Sequence, residues 1–157
     1  MDLKNVSAVV TGGGSGMGEV TARMLSERGA RVAVIDLDEA AVERTADEIG
    51  GLGFSADVSD GSSIESAFEK IKDQIGAPRV VVSCAGIAPA SRIVGRDGPH
   101  PLELFERVIK VNLIGTFNVL RLAAAQMSAL DPLPESQSRG VIVNTASVAA
   151  YEGQIGQ

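Results

Sequence analysis

The residues best placed to do chemistry begin with Thr11-Gly12-Gly13-Gly14-Ser15-Gly16-Met17-Gly18, a run nearly bare of side chains. It follows the β-branched stretch Val6–Thr11 and precedes Met17, Val20, Met24 and Leu25 at helical spacing. A glycine turn between a strand and a helix lets backbone N–H groups and the positive helix end meet a diphosphate that side chains would keep away. The spacing is G-x-x-x-G-x-G, neither the strict G-x-G-x-x-G nor a P-loop, because no Gly-Lys-Ser/Thr follows. Asp36 closes the next apolar run, eighteen positions after Gly18. A carboxylate there can accept hydrogen bonds from an adenosine ribose and would repel a 2′-phosphate; it could instead cap the helix that follows. With Leu37 beside Asp36 and Ser15 in the glycine turn, no arginine is offered to a 2′-phosphate, so the pattern favours NAD over NADP. Asp57-Val58 is placed either to reach an adenine rim or to be an exposed loop pair.

These residues need elements to hold them. Val6–Thr11 and Arg31–Ile35 read as strands, each followed by a helix: Met17, Val20, Met24 and Leu25 in the first, and Val42, Ala46 and Ile49 in the second, which spans 36–49. Gly53–Ala56 is a weak third strand. Ile64, Ala67, Phe68, Ile71 and Ile75 keep the 3.6-residue period of a third helix, with Ser or Asp at positions 59 to 63 to cap it. Arg79–Cys84 is a fourth strand, apolar without alternation, as a strand covered on both faces reads. A Gly- and Pro-punctuated connection, Ala85–Pro101, is long enough to be either a ligand-touching loop or ordinary surface. One long helix is expected over 102–129, apolar nearly all round beyond Val111, followed by a polar loop and a fifth strand at Gly140–Thr145. Alternating strands and helices predict a doubly wound parallel α/β sheet of order 3-2-1-4-5, a single domain over residues 1–157. Ligands of such sheets lie at the strand carboxyl ends where the winding reverses, between the first and fourth strands, and both Gly12–Gly18 and Ala85-Gly86 fall there.

Composition narrows the classes. The 157 residues are 45% hydrophobic and 22% charged, which suits one globular domain. Fourteen basic against twenty acidic residues give a net charge of −6, which disfavours nucleic acid. No uninterrupted apolar run long enough for a bilayer occurs, and Met1-Asp2-Leu3-Lys4 lacks a signal-peptide layout, so no membrane partner is expected and a cytoplasmic protein is. One cysteine, Cys84, and one histidine, His100, allow neither an internal disulfide nor a multi-histidine metal site, and no metal is expected. Cys84 reads as an inert core thiol and His100 as a loop residue between Pro99 and Pro101.

Taken together the motifs resemble the amino-terminal part of a short-chain dehydrogenase/reductase, over essentially all 157 residues. Thr11–Gly18 is similar to the family's T-G-x-x-x-G-x-G cofactor loop, Asp36 to its NAD-type acidic residue, and Asp57-Val58 to its adenine-contacting pair. Cys84-Ala85-Gly86 resembles the end of the N-N-A-G element, with Ser83 and Cys84 in place of its two asparagines. The resemblance therefore implies NAD as cofactor, held by Gly12, Ser15, Gly16, Met17, Gly18, Asp36, Leu37, Asp57, Val58, Cys84, Ala85 and Gly86. It also implies that Ser147 bonds the substrate oxygen and Asn112 holds a proton-relay water; a buried asparagine bonding a helix carbonyl is the alternative for the latter. The segments Cys84–Ala88, Gly115–Val119 and Asn144–Gln157 look most like the branch that contains type 2 3-hydroxyacyl-CoA dehydrogenases, which also handles hydroxysteroids and other secondary alcohols.

Hydride transfer to a carbonyl needs a proton donor, which the family supplies as a tyrosine whose pKa is lowered by a lysine four residues on. Counted from Ser147 these fall at positions 160 and 164, past Gln157. Tyr151 has Ile155 at its plus-four position and reads as a loop aromatic near the pocket, not the acid/base. The expectation is an NAD-dependent oxidoreductase interconverting a secondary alcohol and a ketone. These residues are expected to be part of a longer functional chain, inactive alone, with an open sheet edge. The apolar face of the helix over 102–129 suggests either a subunit contact or a buried core helix, and the resemblance implies a homodimer or homotetramer built partly through it. A non-catalytic dinucleotide-binding or interaction module is the rival reading, and a methyltransferase-type α/β domain a third that would leave Asn112 and Ser147 unexplained together.

Overall fold

Val9, Ala33, Ile35 and Val81 pack into one apolar cluster, while their neighbours Ala8, Val10, Val32, Val34 and Val80 pack into another. Successive strand residues face opposite ways, so both faces of the sheet are covered along its three central strands, which carry no polar alternation. The computed structural model describes residues 1–96 and 98–153. The strands of its main sheet are β1 (Ser7–Thr11), β2 (Arg31–Asp36), β3 (Leu52–Ser55), β4 (Val80–Ser83) and β7 (Val141–Asn144). They run parallel, in the order β3-β2-β1-β4-β7. This is the doubly wound Rossmann-like sheet expected, with the strand read at Gly140–Thr145 taking the fifth place.

Helices α1 (Gly16–Glu27) and α2 (Glu39–Ile49) cover one face. On the other, α3 (Gly61–Ile75) supplies Ile64, Phe68 and Ile71, and α5 (Thr116–Ser128) supplies Val119, Ala123 and Met127. Local chemistry starts and stops these helices. Asp38 accepts from Ala41 N at 3.1 Å and Asp60 from Ser63 N at 3.0 Å, each satisfying an otherwise free amide of a first turn. Gly50 ends α2 in the left-handed region at φ 60°.

Two features depart from the sequence reading. The connection after β4 contains a minimal antiparallel ladder, β5 (Val94–Gly95) with β6 (Gly98–Pro99). The single helix expected over 102–129 is α4 (Leu102–Ile109) and α5 joined by a π-helical segment, Lys110–Gly115. A buried polar contact anchors α5 beyond it: Asn118 Nδ2 donates to Val58 O at 3.0 Å, and Arg121 Nε donates to Asn118 Oδ1 at 2.9 Å. Leu102–Ser128 is long and apolar enough to cross a bilayer by length and composition, but its Val119, Ala123 and Met127 belong to the core beneath the sheet. Strand β7 lies at the sheet edge with Val141 and Val143 exposed, as expected of an open edge.

Candidate functional site

A cleft of about 640 Å3 opens at the carboxyl ends of β1 and β4. All twelve residues that the sequence marked for a cofactor line it: Gly12, Ser15, Gly16, Met17, Gly18, Asp36, Leu37, Asp57, Val58, Cys84, Ala85 and Gly86. Two of the glycines show why the turn carries no side chains. Gly12 has φ 67°, and a Cβ built on it would lie 2.6 Å from Ala85 N, so the turn presses directly on the chain leaving β4. A Cβ on Gly18 would lie 2.0 Å from Gly12 O, so only glycine lets the first turn of α1 sit against the loop. The result is a cradle of backbone with the amino end of α1 opening into it, the arrangement a diphosphate needs. Ser15 occupies the N-cap position of α1, yet its side chain makes no capping bond.

Asp36 closes the cradle on the β2 side. One carboxylate oxygen accepts from Gly14 N at 3.0 Å; the other accepts from Leu37 N at 2.7 Å and Asp38 N at 3.3 Å. Helix capping, the alternative open for Asp36, falls to Asp38. Asp36 is thereby a fixed negative charge beside the glycine loop. Asp57 is held the same way, accepting from Ser59 N at 2.8 Å and Ser59 Oγ at 2.7 Å. Thr11 Oγ1 accepts from Ala85 N at 3.4 Å, tying the ends of β1 and β4 together below the cleft.

A second, more apolar groove of about 620 Å3 adjoins the first, with Ile87 in the wall of both. It holds Ser147 and Asn112 together with Phe105, Leu102, Ile93 and His100. Ser147 Oγ accepts from Ala149 N at 3.1 Å at the start of a short 3-10 turn, Val148–Ala150. Its own O–H stays available to donate to an oxygen in the groove. Asn112 sits in the π segment and grips the Ile87 backbone in both directions, accepting from Ile87 N at 2.9 Å and donating to Ile87 O at 2.8 Å. Its amide thus fixes the wall between the two cavities. Neither the proton-relay reading nor the helix-carbonyl alternative foresaw this clamp, although π turns recur at functional sites.

Sequence reasoning missed Arg107, Lys110 and Val111, which also line the cleft. Their i, i+3, i+4 spacing puts them on one face of the long helix; the surrounding apolar residues masked that face. Ala56 and Ser59 line it too, on either side of Asp57 and Val58. Tyr151 is 92% exposed and lines neither cavity, although Ala149, two residues before it, lines the second; Ile155, its plus-four neighbour, lies outside the described residues. Ser83 Oγ is buried without a hydrogen-bond partner among the described residues. Among those residues no group of three or more His, Cys, Asp or Glu could hold a metal ion.

A Rossmann-like sheet with a bare turn after β1, a carboxylate at the tip of β2 and a serine groove beyond β7 defines a class, and residues 6–157 match the family model for short chain dehydrogenases. The chain belongs to that family. It is 43% identical to a 3-hydroxyacyl-CoA dehydrogenase type-2 of Drosophila melanogaster over 99% of this chain and 62% of that protein. Against the Bos taurus protein of the same name it is 44% identical, over 99% of this chain and 60% of that one. A crystal structure of 3-hydroxyacyl-CoA dehydrogenase type-2 from Mycobacterium avium superposes with a TM-score of 0.89 at 42% identity, covering 98% of this chain and 60% of that one. The chain therefore spans about 60% of the length of these relatives.

Proposed function

We propose that these residues form the cofactor-binding and substrate-orienting part of an NAD-dependent oxidoreductase that interconverts a secondary alcohol and a ketone. A 3-hydroxyacyl-CoA or a hydroxysteroid is the substrate type this reading favours. One observation carries it above the others: the cradle a Cβ would fill at Gly12 and Gly18 faces the same cleft as the fixed carboxylate of Asp36. The loop amides would hold the diphosphate, Asp36 the adenosine ribose, Asp57 and Val58 the adenine rim, and Cys84–Gly86 the far ribose. When bound, the nicotinamide supplies the hydride acceptor or donor.

The chain's own groups position the reactants, and none of residues 1–157 is assigned the proton transfer. Ser147 Oγ–H donates to the substrate oxygen and orients it. Asn112 holds Ile87 as the partition between cofactor cleft and substrate groove. The apolar lining from Leu102, Phe105 and Ile93 takes an aliphatic or alicyclic arm and excludes water. Residues 1–157 carry a single tyrosine, Tyr151, outside both cavities, so these residues alone are proposed to bind dinucleotide without turnover. NAD is favoured over NADP because a 2′-phosphate would meet the Asp36 charge. A cytoplasmic homodimer or homotetramer, joined through the exposed Leu113, Ile114 and Phe117, fits the same reading. The test is spectrophotometric. The full-length protein carrying this chain, given NAD and short-chain 3-hydroxyacyl-CoA or a hydroxysteroid, should produce reduced nicotinamide. Dinucleotide binding without any such reduction across these substrates would favour the non-catalytic module instead.

A further inference from the structure

The glycine loop is gripped from outside the cleft as well as from within. Gly14 is wedged against α2: a Cβ on it would lie 2.9 Å from Ala41 Cβ and 3.1 Å from the Asp36 carboxylate carbon. Its N–H donates to Asp36 Oδ2 at 3.0 Å, and its carbonyl accepts from Arg44 Nη2, one turn along α2 from Ala41, at 2.7 Å. Glu19 Oε2, on the first turn of α1, lies 3.6 Å from the same guanidinium nitrogen. Both peptide planes that meet at Gly14 are therefore held by charged side chains. Gly14 does not line the cleft, whereas Ser15 does. The Gly14–Ser15 peptide is trans, so its C=O and N–H point in opposite directions. With the carbonyl turned toward Arg44, the Ser15 N–H is turned the other way, and it has no partner among the described residues.

We propose that Arg44 is a positioning residue for the dinucleotide: by holding the Gly14 carbonyl it aims the Ser15 N–H at the diphosphate. This rests on the dinucleotide reading of the cleft. Arg44 never touches the cofactor and lends no charge to a 2′-phosphate. Its side chain is half exposed, so the expected effect is moderate. Arg44→Met keeps the aliphatic stem and removes the charged donor. It should raise the dissociation constants of NADH and NADPH in the same proportion, by about fivefold, as read by nicotinamide fluorescence titration. The unfolding temperature should stay near that of the wild type, and Arg44→Lys, which can still reach the carbonyl, should recover most of the affinity. A loss confined to NADPH would make Arg44 a 2′-phosphate ligand and overturn the proposal. So would unchanged NADH affinity in Arg44→Met, or loss of affinity that tracks loss of folding in both variants. If the wild type binds neither dinucleotide, the reading of the cleft falls and this inference with it; if the wild type binds and Arg44→Met binds equally, only the inference falls.

Discussion

Gly18→Ala sets two effects of opposite sign against each other. Gly18 lies in the first turn of α1 with an ordinary helical backbone, outside the positive-φ residues. On helix propensity alone alanine should stabilise, by up to about 1 kcal/mol. The surroundings say otherwise. The new methyl carbon would lie 2.0 Å from Gly12 O and 2.6 Å from Gly12 C, backbone atoms that cannot rotate aside. Ordinary contact begins near 3.4 Å, so the start of α1 must separate from the glycine loop by about 1.4 Å. Overpacking of this kind costs roughly 1–3 kcal/mol, which leaves a net destabilisation of about 1 kcal/mol. The same separation opens the proposed diphosphate cradle, where a displacement of about 1 Å is enough to lose tenfold or more in function. Urea unfolding and NADH fluorescence titration read the two consequences separately. A Gly18→Ala protein about 1 kcal/mol more stable than wild type, with unchanged NADH affinity, would refute the close approach of helix and loop.

Removing the hydroxyl at Ser83 should behave differently. Its Oγ is buried and without a partner among the described residues, so Ser83→Ala should leave stability within about 0.5 kcal/mol of wild type or raise it, measured by urea unfolding. Asp60 caps α3, and its carboxyl is held below the usual carboxylate range by the Ser63 N–H first and the Ser62 hydroxyl next. A depressed folded pKa contributes stability that is complete above the unfolded value of about 3.9 and is lost as pH falls through the folded value. The thermal-stability gap between wild type and Asp60→Asn should therefore shrink as pH drops from about 6 to about 3, and a gap that widened would contradict the cap's electrostatics. Phe68, 1% exposed at the centre of the larger cluster, should cost about 3–5 kcal/mol on Phe68→Ala, read by the same unfolding assay.

Much of the cleft was legible because its determinants are backbone requirements. A strand that is apolar on both faces, as in Val80–Val81–Val82, reports burial directly, and glycines at 12, 16 and 18 report where the chain must touch itself or a ligand. Asp36 was legible only in part: a carboxylate before a helix can serve a ribose or a cap, and the choice rests on Asp38 two residues later, which takes the cap. The π segment was not legible. A π turn shifts the hydrogen-bond register by one residue, and the stretch around Val111–Leu113–Ile114–Phe117 is apolar on nearly every side, so no periodicity was there to break. What anchors it is tertiary: Asn112 on Ile87, and Gly115, where a Cβ would lie 2.6 Å from Val58 Cγ2. The Val94–Pro99 ladder escaped for a related reason, since pairs of two residues that include Gly95, Gly98 and Pro99 carry no strand pattern. Nothing in the sequence pattern marks Arg44, because its role depends on a tertiary distance, that of its guanidinium to the Gly14 carbonyl.

On the proposed reading, the charge of Asp36 beside the backbone cradle is what would separate an NAD site from a generic anion hole. At about 5 Å and an effective dielectric near 20, a single charge on a 2′-phosphate would meet roughly 3 kcal/mol of repulsion before screening. Calorimetric titration of the wild-type protein with NADH and NADPH under one buffer and salt condition reads this most directly. NADH should bind at least about tenfold more tightly, 1.4 kcal/mol. Equal affinities, a preference for NADPH, or no heat from either dinucleotide would contradict the assignment of this cleft.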